Sequence, residues 1–472
     1  MLENYIPIVI KQDKLTIMKV IDLQIPKQIE LPLHLVNSSK KFTFIDLFAG
    51  IGGFRIALEK LGGQCLGYSE IDKQAIKVYQ QNFINYRNQD EIELGDITKI
   101  TGLPSNIDVI VGGVPCQPWS VAGCLKGFDD QRGKLWFDVI RLVNKSQPKA
   151  FIFENVSGLA SPKNKESLEL ILQNFSDIGY AAKWKILNAY DFGLPQNRDR
   201  VFIVGIQNGI EKCQEYRFPR SLNIHPKVLD ILDELKNIEF IEKVKLDANT
   251  LFKGVIPPSR TRFQKDDELN DFFIFSDLRN GHTTIHSWDI IKTTDREKMI
   301  CLALLKNRRS KKYGNKDGNP LSFENFQEII PNIEISELNI LVDKGIFRWT
   351  DNRKYEFVNS KNMTGINDIY RIILPTADIF PTLTATGGKD YIATVSIHGS
   401  NPEEYKQLFL EKIYHSKKYI PITAKHACKL QGFPANFIYH QKDDTAKKHF
   451  GNAVPIPVVE YVAKELLRII DV

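Results

Sequence analysis

Short apolar runs alternate with amphipathic stretches along residues 42–206. Residues 42–48 form an apolar run rich in β-formers that ends at a glycine-rich turn, and residues 54–61 then follow a helical period. Further strands are predicted at 64–69, 108–111, 150–153, 182–188 and 200–206, and further helices at 72–83 and 167–178. This alternation predicts an α/β fold, a doubly wound and mostly parallel sheet with helices on both faces. Ligands of such sheets bind at the carboxyl ends of the strands.

The regular pattern stops near residue 209. Residues 227–245 look helical, but no repeating βα unit is found up to about residue 370, and the stretch is too long for a loop. A second, smaller domain is therefore predicted at 210–370. Regular order returns near the end of the chain, with a turn at 452–457 and a helix at 458–470. Residues 1–41 carry no motif and are treated as an N-terminal extension.

The composition is that of an ordinary globular protein. Of the 472 residues, 43% are hydrophobic and 25% are charged. Mean hydropathy is -0.25, and we find no uncharged apolar run of about 18 residues, so no membrane span is expected. Six cysteines without a CxxC pair argue against a zinc ribbon or a disulfide scaffold and favour a reducing, cytoplasmic setting. The net charge of +6 allows a polyanionic partner.

One pattern indicates a bound nucleoside. The first predicted strand runs into the turn Ala49-Gly50-Ile51-Gly52-Gly53, where glycines let the backbone approach a ligand and the next helix offers free N–H groups. Glu70 ends the second predicted strand about 20 residues further on, where an acid can bind ribose hydroxyls. Asp96, in the segment Gly95-Asp96-Ile97, is a candidate for a further polar contact. Taken alone, these residues fit a nicotinamide oxidoreductase as well as a methyltransferase.

A second pattern indicates covalent chemistry. Cys116 lies in a Pro-Cys-Gln-Pro loop directly after a predicted strand, a rigid and partly exposed position that suits a nucleophilic thiolate. Glu154 ends another apolar strand, where burial would raise its pKa and suit it to proton transfer. Arg198 and Arg200 alternate onto one face and suit a carbonyl oxygen and a phosphate. The alternatives are a buried structural cysteine, a turn acid and a solvated basic edge.

Together and in this order, the motifs resemble the DNA (cytosine-5)-methyltransferase family. The matching segments are 44–53, 68–72, 95–98, 113–120, 153–156, 196–200, 381–388, 431–434 and 451–454. The resemblance implies a Rossmann-like, S-adenosylmethionine-dependent methyltransferase sheet whose last strand is antiparallel. It assigns 42–209 to the catalytic domain, 210–370 to a variable target-recognition domain, and 371–472 to a C-terminal part that returns to the catalytic domain. The recognition segment looks long for the family.

The resemblance also implies a role for each site residue. Cys116 would attack carbon 6 of a flipped-out cytosine, Glu154 would contact the ring nitrogen and amine, and Arg200 would hold the carbonyl oxygen. Arg198 would support the loop or a nearby phosphate. The expected cofactor-binding residues are Phe48, Gly50, Gly52, Glu70, Ile71, Asp96, Ile97, Pro115, Leu135 and Asn452. No metal is expected.

The expected function is methylation of carbon 5 of cytosine in a short, specific duplex DNA sequence. The compact architecture suggests a monomeric enzyme of the bacterial cytoplasm, at the nucleoid, that protects DNA from a partner restriction endonuclease. Basic residues concentrate at 251–320, where 14 Lys and Arg face 9 Asp and Glu, and Arg260, Arg262, Arg308 and Arg309 are candidates for reading bases. The alternatives are a tRNA cytosine-5 methyltransferase, an inactive DNA-binding relic and a nicotinamide oxidoreductase.

Overall fold

The computed structural model of the chain describes residues 42–83, 91–115, 133–207, 210–224, 226–232, 246–247, 268–269, 286–316, 318–358, 371–375, 377, 379–385, 390–397 and 402–470. The extension 1–41, the expected nucleophile Cys116, and the candidates Arg260 and Arg262 lie outside these residues.

Strands and helices alternate in the first half of the described chain. The strands are β1 (Phe42–Leu47), β2 (Gly63–Ser69), β3 (Ile92–Glu93), β4 (Val109–Gly113), β5 (Ala150–Val156), β6 (Tyr180–Asn188), β7 (Gln196–Asn197) and β8 (Asp199–Gln207). The helices are α1 (Gly53–Lys60), α2 (Lys73–Phe83), α3 (Leu135–Ser146), α4 (Lys165–Asp177), α5 (Ile210–Glu215) and α6 (Val228–Ile231). Short 3-10 turns lie at Ile97–Lys99, Ser157–Ala160, Pro162–Asn164 and Ala189–Phe192.

The remaining elements follow after short pairs at β9 (Leu246–Asp247) and β10 (Glu268–Leu269). The helices are α7 (Ser287–Ile290), α8 (Asp295–Asn307), α9 (Phe323–Ile329), α10 (Ile335–Asp343), α11 (Pro402–Leu408), α12 (Ala424–Leu430), α13 (Asp443–Asn452) and α14 (Ile456–Leu467), with a 3-10 turn at Lys311–Tyr313 and a π-helical segment at Phe409–His415. The strands are β11 (Phe347–Trp349), β12 (Tyr355–Phe357), β13 (Arg371–Ile373), β14 (Phe380–Pro381), β15 (Asp390–Ala393) and β16 (Tyr419–Pro421).

A seven-stranded sheet in the order β3-β2-β1-β4-β5-β8-β6 organises the first half of the described chain. Its pairings are parallel except for those of β8, which runs antiparallel to both β5 and β6. Every residue of β1 is buried, as expected of a central strand covered on both faces. Side chains of α1, α2 and α14 cover one face, and side chains of α3 and α4 cover the other. The prediction of a doubly wound, mostly parallel α/β sheet is confirmed.

Several predicted boundaries shift. Strand β5 runs on to Val156, so Glu154 is part of a buried strand. Strand β3 has only two residues, and Asp96 instead caps the 3-10 turn that follows it. The predicted turn at 452–457 is wrong at both ends, because Asn452 ends α13 and α14 already begins at Ile456. Pro457 therefore occupies the first helical turn, where a missing N–H costs no hydrogen bond.

The helix predicted at 227–245 is also shorter in the described part, where it covers only Val228–Ile231 and ends at Leu232. Residues 233–245 lie outside the described ranges. None of the helices in the described residues is both long enough and apolar enough to cross a membrane.

The C-terminal part of the chain packs back onto the first half. Helix α14 contacts α1, and β14 pairs in parallel with β7. A Cβ atom on Gly53 would lie 2.9 Å from Cγ2 of Val454, so a side chain there would push α1 away from the turn before α14. Buried residues of both parts belong to one hydrophobic core.

A separate helical unit, residues 286–358, has its own core. Ile300 of α8, Phe326 of α9, Leu338 of α10 and Phe347 of β11 are buried together. Helices α9 and α10 are joined by a short turn, and the β11–β12 hairpin follows directly. This is the element order of a helix-turn-helix with an added hairpin. The unit lies inside the segment predicted to be the second domain.

Candidate active site

A cavity of about 370 Å³ opens at the carboxyl ends of β1, β2, β4 and β5. Such a position is where a doubly wound sheet binds its ligands. Of the residues expected to bind the cofactor, the cavity is lined by Phe48, Gly50, Glu70, Ile71, Asp96, Ile97, Pro115, Leu135 and Asn452. Glu154, Arg198 and Arg200 line it as well. Residues that are far apart in the sequence are thus brought to one cavity.

One carboxylate joins two walls of this cavity. Glu70 Oε2 accepts a hydrogen bond from the backbone N–H of Gly50 at 2.8 Å. Its Oε1 accepts from the N–H groups of Ile71 and Asp72 at 2.7 and 2.9 Å. Glu70 therefore holds the turn after β1 against the end of β2. Gly50 has a φ of 56°, in the left-handed region that favours glycine.

Gly52 does not line the cavity, although it was expected to contact the cofactor. A Cβ atom on Gly52 would lie 2.3 Å from Cε2 of Phe83, and its φ is 91°. The missing side chain lets the start of α1 approach the end of α2. The motif glycine is explained here by helix packing, because its Cα faces the aromatic ring of α2.

The outer wall combines an acid with apolar side chains. Asp96 Oδ1 accepts hydrogen bonds from the backbone N–H and the hydroxyl of Thr98 at 3.0 and 2.8 Å. These bonds lower the pKa of Asp96 and keep its carboxyl ionised. Ile71 is 71% exposed, so its side chain offers an open apolar surface at the rim. Leu135 lies across the cavity at the start of α3.

Glu154 and Arg200 form an ion pair on the inner wall. Arg200 Nε lies 2.7 Å from Glu154 Oε1. Burial raises the pKa of Glu154, while the charges of Arg200 and Arg198 act in the opposite direction. Because β8 runs antiparallel to β5, the amino end of β8 brings Arg200 to the carboxyl end of β5. A buried carboxyl beside a guanidinium can hold a proton and orient a flat, polar ring.

The chain leading to Cys116 is fixed beside this pair. Gly113 is the register partner of Glu154 in the β4–β5 ladder. One residue further on, the carbonyl oxygen of Val114 accepts a hydrogen bond from Asn155 Nδ2 at 3.2 Å. Pro115 then lines the cavity. Although Cys116 is outside the described residues, the chain entering it starts from the wall that holds Glu154.

The four cysteines that the structure describes are poor nucleophiles. Cys65, Cys213, Cys301 and Cys428 are all buried. Burial raises the pKa of Cys65 to about 12, and it raises the pKa of Cys428 to the same value. A thiol that stays protonated near neutral pH does not attack as a thiolate.

Arg198 is used for structure. It is 1% exposed and lies between β7 and β8, outside either strand. Its Nη1 donates to the carbonyl oxygen of Leu383 at 2.9 Å, and its Nη2 donates to those of Gly451 and Ala453 at 2.9 and 2.8 Å. Of the two expected roles, the geometry matches support of a loop, because both Nη atoms donate to backbone carbonyl oxygens of the C-terminal part.

Sequence reasoning missed His449. This residue of α13 is 6% exposed and lines the cavity. Its Nδ1 has no hydrogen-bond partner among the described residues. Burial lowers the pKa of His449, Asp72 acts against this, and His440 and Lys448 add to it. The available signal was its position two residues before Gly451, within reach of a recognised motif.

Gln196 was also missed as an individual residue. It is fully buried, its Nε2 donates to the carbonyl oxygen of Leu430 at 2.8 Å, and its Oε1 accepts from the N–H of Leu383 at 3.1 Å. It therefore ties two C-terminal segments to the first half of the chain. In the part of the chain that the structure describes, no group of three or more His, Cys, Asp or Glu is placed to hold a metal ion.

Comparison with known proteins identifies relatives. The family model described as C-5 cytosine-specific DNA methylase matches residues 42–468. The chain is 48% identical to the type II methyltransferase M.HgiBI of Herpetosiphon aurantiacus over 428 residues, 90% of this chain and 97% of the relative. It is 31% identical to the type II methyltransferase M.BanI of Aneurinibacillus aneurinilyticus, over 91% of this chain and 96% of the relative.

Proposed function

The chain belongs to the C-5 cytosine-specific DNA methylase family, and from this premise we propose how its residues carry out the reaction. It is a DNA cytosine-5 methyltransferase with S-adenosylmethionine as methyl donor. In our proposal the target cytosine leaves the duplex, enters beside Glu154 and Arg200, and is attacked by Cys116. The observation that carries this is the 2.7 Å ion pair of Glu154 and Arg200, next to the strand end that leads to Cys116.

The cavity is chemically suited to the cofactor. Its volume of about 370 Å³ lies within the range of small-molecule sites. Glu70 and Asp96 offer carboxylate oxygens to ribose hydroxyls and to an exocyclic amine, and their charges favour a cationic ligand. Phe48 and Ile71 offer apolar surface to the adenine ring. When bound, S-adenosylmethionine supplies an electrophilic methyl group.

In the proposed reaction the Cys116 thiolate adds to carbon 6 of cytosine. Glu154, held by Arg200, donates its carboxyl proton to a hydrogen bond with the ring nitrogen and accepts a hydrogen bond from the amine, and it thereby stabilises the negative charge that the addition pushes onto the ring. Arg200 also contacts the cytosine carbonyl oxygen. Carbon 5 thereby becomes nucleophilic and takes the methyl group, and the donor's sulfur would keep the electron pair of the broken S–CH3 bond and leave as a neutral thioether. A base then removes the carbon-5 proton, the ring double bond re-forms and the thiolate leaves.

This mechanism is tested with tritiated S-adenosylmethionine and mixed-sequence duplex DNA. Wild type should label cytosine at carbon 5 within one short motif, and Cys116→Ala should not. A duplex with 5-fluorocytosine at the target should form an adduct that survives denaturant, because fluorine cannot leave as a proton does. Cys124→Ala is the matched control and should form the adduct normally. Label in tRNA alone, or an adduct that persists in Cys116→Ala, would overturn the proposal.

We further propose that the enzyme acts in restriction–modification, as a monomer in the bacterial cytoplasm. The support is that its relatives M.HgiBI and M.BanI are named type II methyltransferases. Chromosomal DNA from cells expressing the wild type should resist an endonuclease that cuts the methylated motif, and DNA from cells expressing Cys116→Ala should be cut. Equal cutting of both would contradict the protective role. Size-exclusion chromatography with light scattering should give about the chain mass of 54.1 kDa.

The segment 210–370 is proposed to recognise the target sequence. Support comes from the helical unit 286–358 within it, whose helix-turn-helix order suits a nucleic-acid surface. Arg308 and Arg309 belong to this unit. Exchanging the segment with that of a relative of different specificity should transfer the methylated motif. An unchanged motif in the exchanged protein would show that the sequence is read elsewhere.

A further inference from the structure

An open groove of about 790 Å³ runs along the outer edge of the central sheet, apart from the cofactor cavity. Its lining residues are Lys183 and Lys185 of β6 and Gln214, Tyr216, Arg217, Phe218 and Arg220 in and after α5. Four of these are cations, and among the described residues no Asp or Glu lines the groove. A concave surface with one sign of charge raises the local concentration of the opposite charge.

Two of the four groove cations share a sheet face with Arg200. In the β6–β8 ladder, Arg200 pairs with Leu187, Phe202 with Lys185 and Val204 with Lys183. Alternate residues of a strand point to the same face, so both lysines project from the face that carries Arg200. At about 3.3 Å per residue, Lys185 and Lys183 lie about 7 and 13 Å along β6 from the partner of Arg200.

The floor of the groove is held in place by two of its cations. Lys183 Nζ donates to the carbonyl oxygens of Gln214 and Tyr216 at 3.2 and 3.3 Å. Arg217 Nη1 also donates to both carbonyl oxygens. Tyr216 is buried in the main core and meets Phe218 edge-on, with ring centroids 5.1 Å apart. These contacts fix this side of the groove before any ligand binds.

The other two cations point to solvent. Lys185 and Arg220 are exposed, and the hydrogen bonds and ion pairs within the described residues include neither side chain. A fixed wall bearing free cations is suited to bind phosphates, because the wall needs no rearrangement and the charges are available.

We propose that this groove binds the sugar–phosphate backbone of the DNA duplex that flanks the target cytosine. The proposal rests on the DNA methyltransferase function, since it places the target base beside Arg200. Each DNA strand carries one phosphate per about 3.4 Å of helix axis. With the duplex axis along β6, Lys185, about 7 Å from the partner of Arg200, would lie beside a phosphate about two nucleotides from the target.

A different role for the lysines is protection of the sheet edge. Strand β6 lies at one edge of the seven-stranded sheet, and lysines on edge strands prevent pairing with other chains. That role requires Lys185 but gives no part to Arg220, which lies on another segment across the groove. The two roles also differ in what they predict for DNA of different lengths.

The test combines charge reversal with trimming of the DNA. Affinities of wild type, Lys185→Glu and Arg220→Glu are measured by fluorescence anisotropy for one long duplex and for duplexes shortened stepwise on each side of the methylated motif. Lys77→Glu is the matched control, because Lys77 is exposed on α2 beside the opposite half of the sheet. Binding of S-adenosylmethionine by calorimetry checks that each variant is folded.

For wild type, trimming one flank should weaken binding about fivefold, and the same trimming should cost nothing in Lys185→Glu or Arg220→Glu. On the long duplex, each of these variants should lower the slope of log affinity against log salt by about one. Lys77→Glu should behave as wild type. If the groove variants lose the same affinity on every duplex, or lose none, the groove does not bind the flank. Wild type that fails to methylate any DNA would instead refute the enzyme's function itself.

Discussion

The side-chain amide of Asn155 donates a hydrogen bond to the carbonyl oxygen of Val114 across 3.2 Å. Asn155 is buried next to Glu154, and Val114 is two residues before Cys116. A single amide therefore couples the strand that carries the proposed acid to the loop that carries the proposed nucleophile. In the Glu-Asn-Val motif, the glutamate side chain faces the cavity, and the asparagine side chain holds the segment that leads to Cys116.

Asn155→Ala should slow methyl transfer by about 10- to 100-fold, because small displacements of a reacting group are costly. Binding of S-adenosylmethionine should change little, since Asn155 does not line the cavity. Single-turnover kinetics would give the rate and calorimetry the cofactor affinity. Asn174→Ala is the control, because it removes a comparable amide bond to Leu170 on the exposed side of α4. A normal rate in Asn155→Ala would show that the loop is held by other contacts.

The raised pKa of Glu154 predicts the form of the pH profile. If the protonated carboxyl is the active form, kcat/KM should fall as the pH rises through the pKa of Glu154. Arg200 lowers that pKa, so Arg200→Ala should shift the alkaline limb to higher pH while also reducing the rate. Glu154→Gln cannot titrate and should lose the limb. A limb that persists in Glu154→Gln would belong to another group.

The main features of the fold and part of the site could be predicted from the sequence. Alternating apolar runs are local signals, and they are sufficient to predict the strand before Glu70 and the strand that contains Glu154. The support of a loop by Arg198 was among the expected roles, but its partners could not be predicted, because Gly451 is 253 residues away in the chain. The same holds for His449, since only packing of α13 into the main hydrophobic core brings its ring to the cavity. Gly52 is the reverse case. It was expected to contact the cofactor, but the close approach of the Phe83 ring on α2 explains why a glycine is needed there.

Gly451→Ala should be destabilising. A Cβ atom there would lie 2.5 Å from the carbonyl carbon of Thr384. Moving either segment would also strain the hydrogen bond from Arg198 to Gly451. We expect a loss of about 1–3 kcal/mol in the free energy of unfolding, measured with urea. Gly102→Ala is the control, because its Cβ would meet only the end of Lys145 at 3.9 Å. Equal stability of both variants would mean that the segments adjust freely.

His449 is expected to contribute to cofactor affinity. Its neutral ring can hydrogen-bond a ligand through Nδ1, whereas a protonated ring would repel the sulfonium of S-adenosylmethionine. His449→Leu should weaken cofactor binding about tenfold by calorimetry and leave DNA affinity unchanged. Burial lowers the pKa of His449, although Asp72 opposes this shift. The affinity of the wild type for the cofactor should therefore fall only at a pH below the range in which histidines usually titrate.

Two further variants test whether protonation of His449 causes the loss of cofactor affinity at acidic pH. His449→Gln keeps a hydrogen-bonding side chain and should bind the cofactor with no acidic decline. His440→Gln changes the neighbouring ring, whose centroid lies 6.2 Å away, and should keep the decline. An acidic decline that survives in His449→Gln would assign the titration to another group.

Asp46 predicts a pH dependence of stability. This residue of β1 is fully buried, and neither carboxylate oxygen has a hydrogen-bond partner among the described residues. Burial raises the pKa of Asp46 well above its ordinary value, although Arg55 opposes the shift. The folded chain therefore binds more protons than the unfolded chain between the two pKa values. The stability contributed by this proton is full below the unfolded pKa and is lost as the pH rises towards the folded pKa.

Asp46→Asn should remove this dependence. At about pH 4 the variant and the wild type should be similar, and at about pH 8 the variant should be more stable by about 1–3 kcal/mol, since it avoids a buried, poorly paired carboxyl. Urea unfolding at both pH values measures the difference. Asp177→Asn, at the exposed end of α4, should change neither value. If Asp46→Asn is instead the less stable protein at pH 8, the carboxylate is ionised in the folded state and Arg55 outweighs the cost of burial.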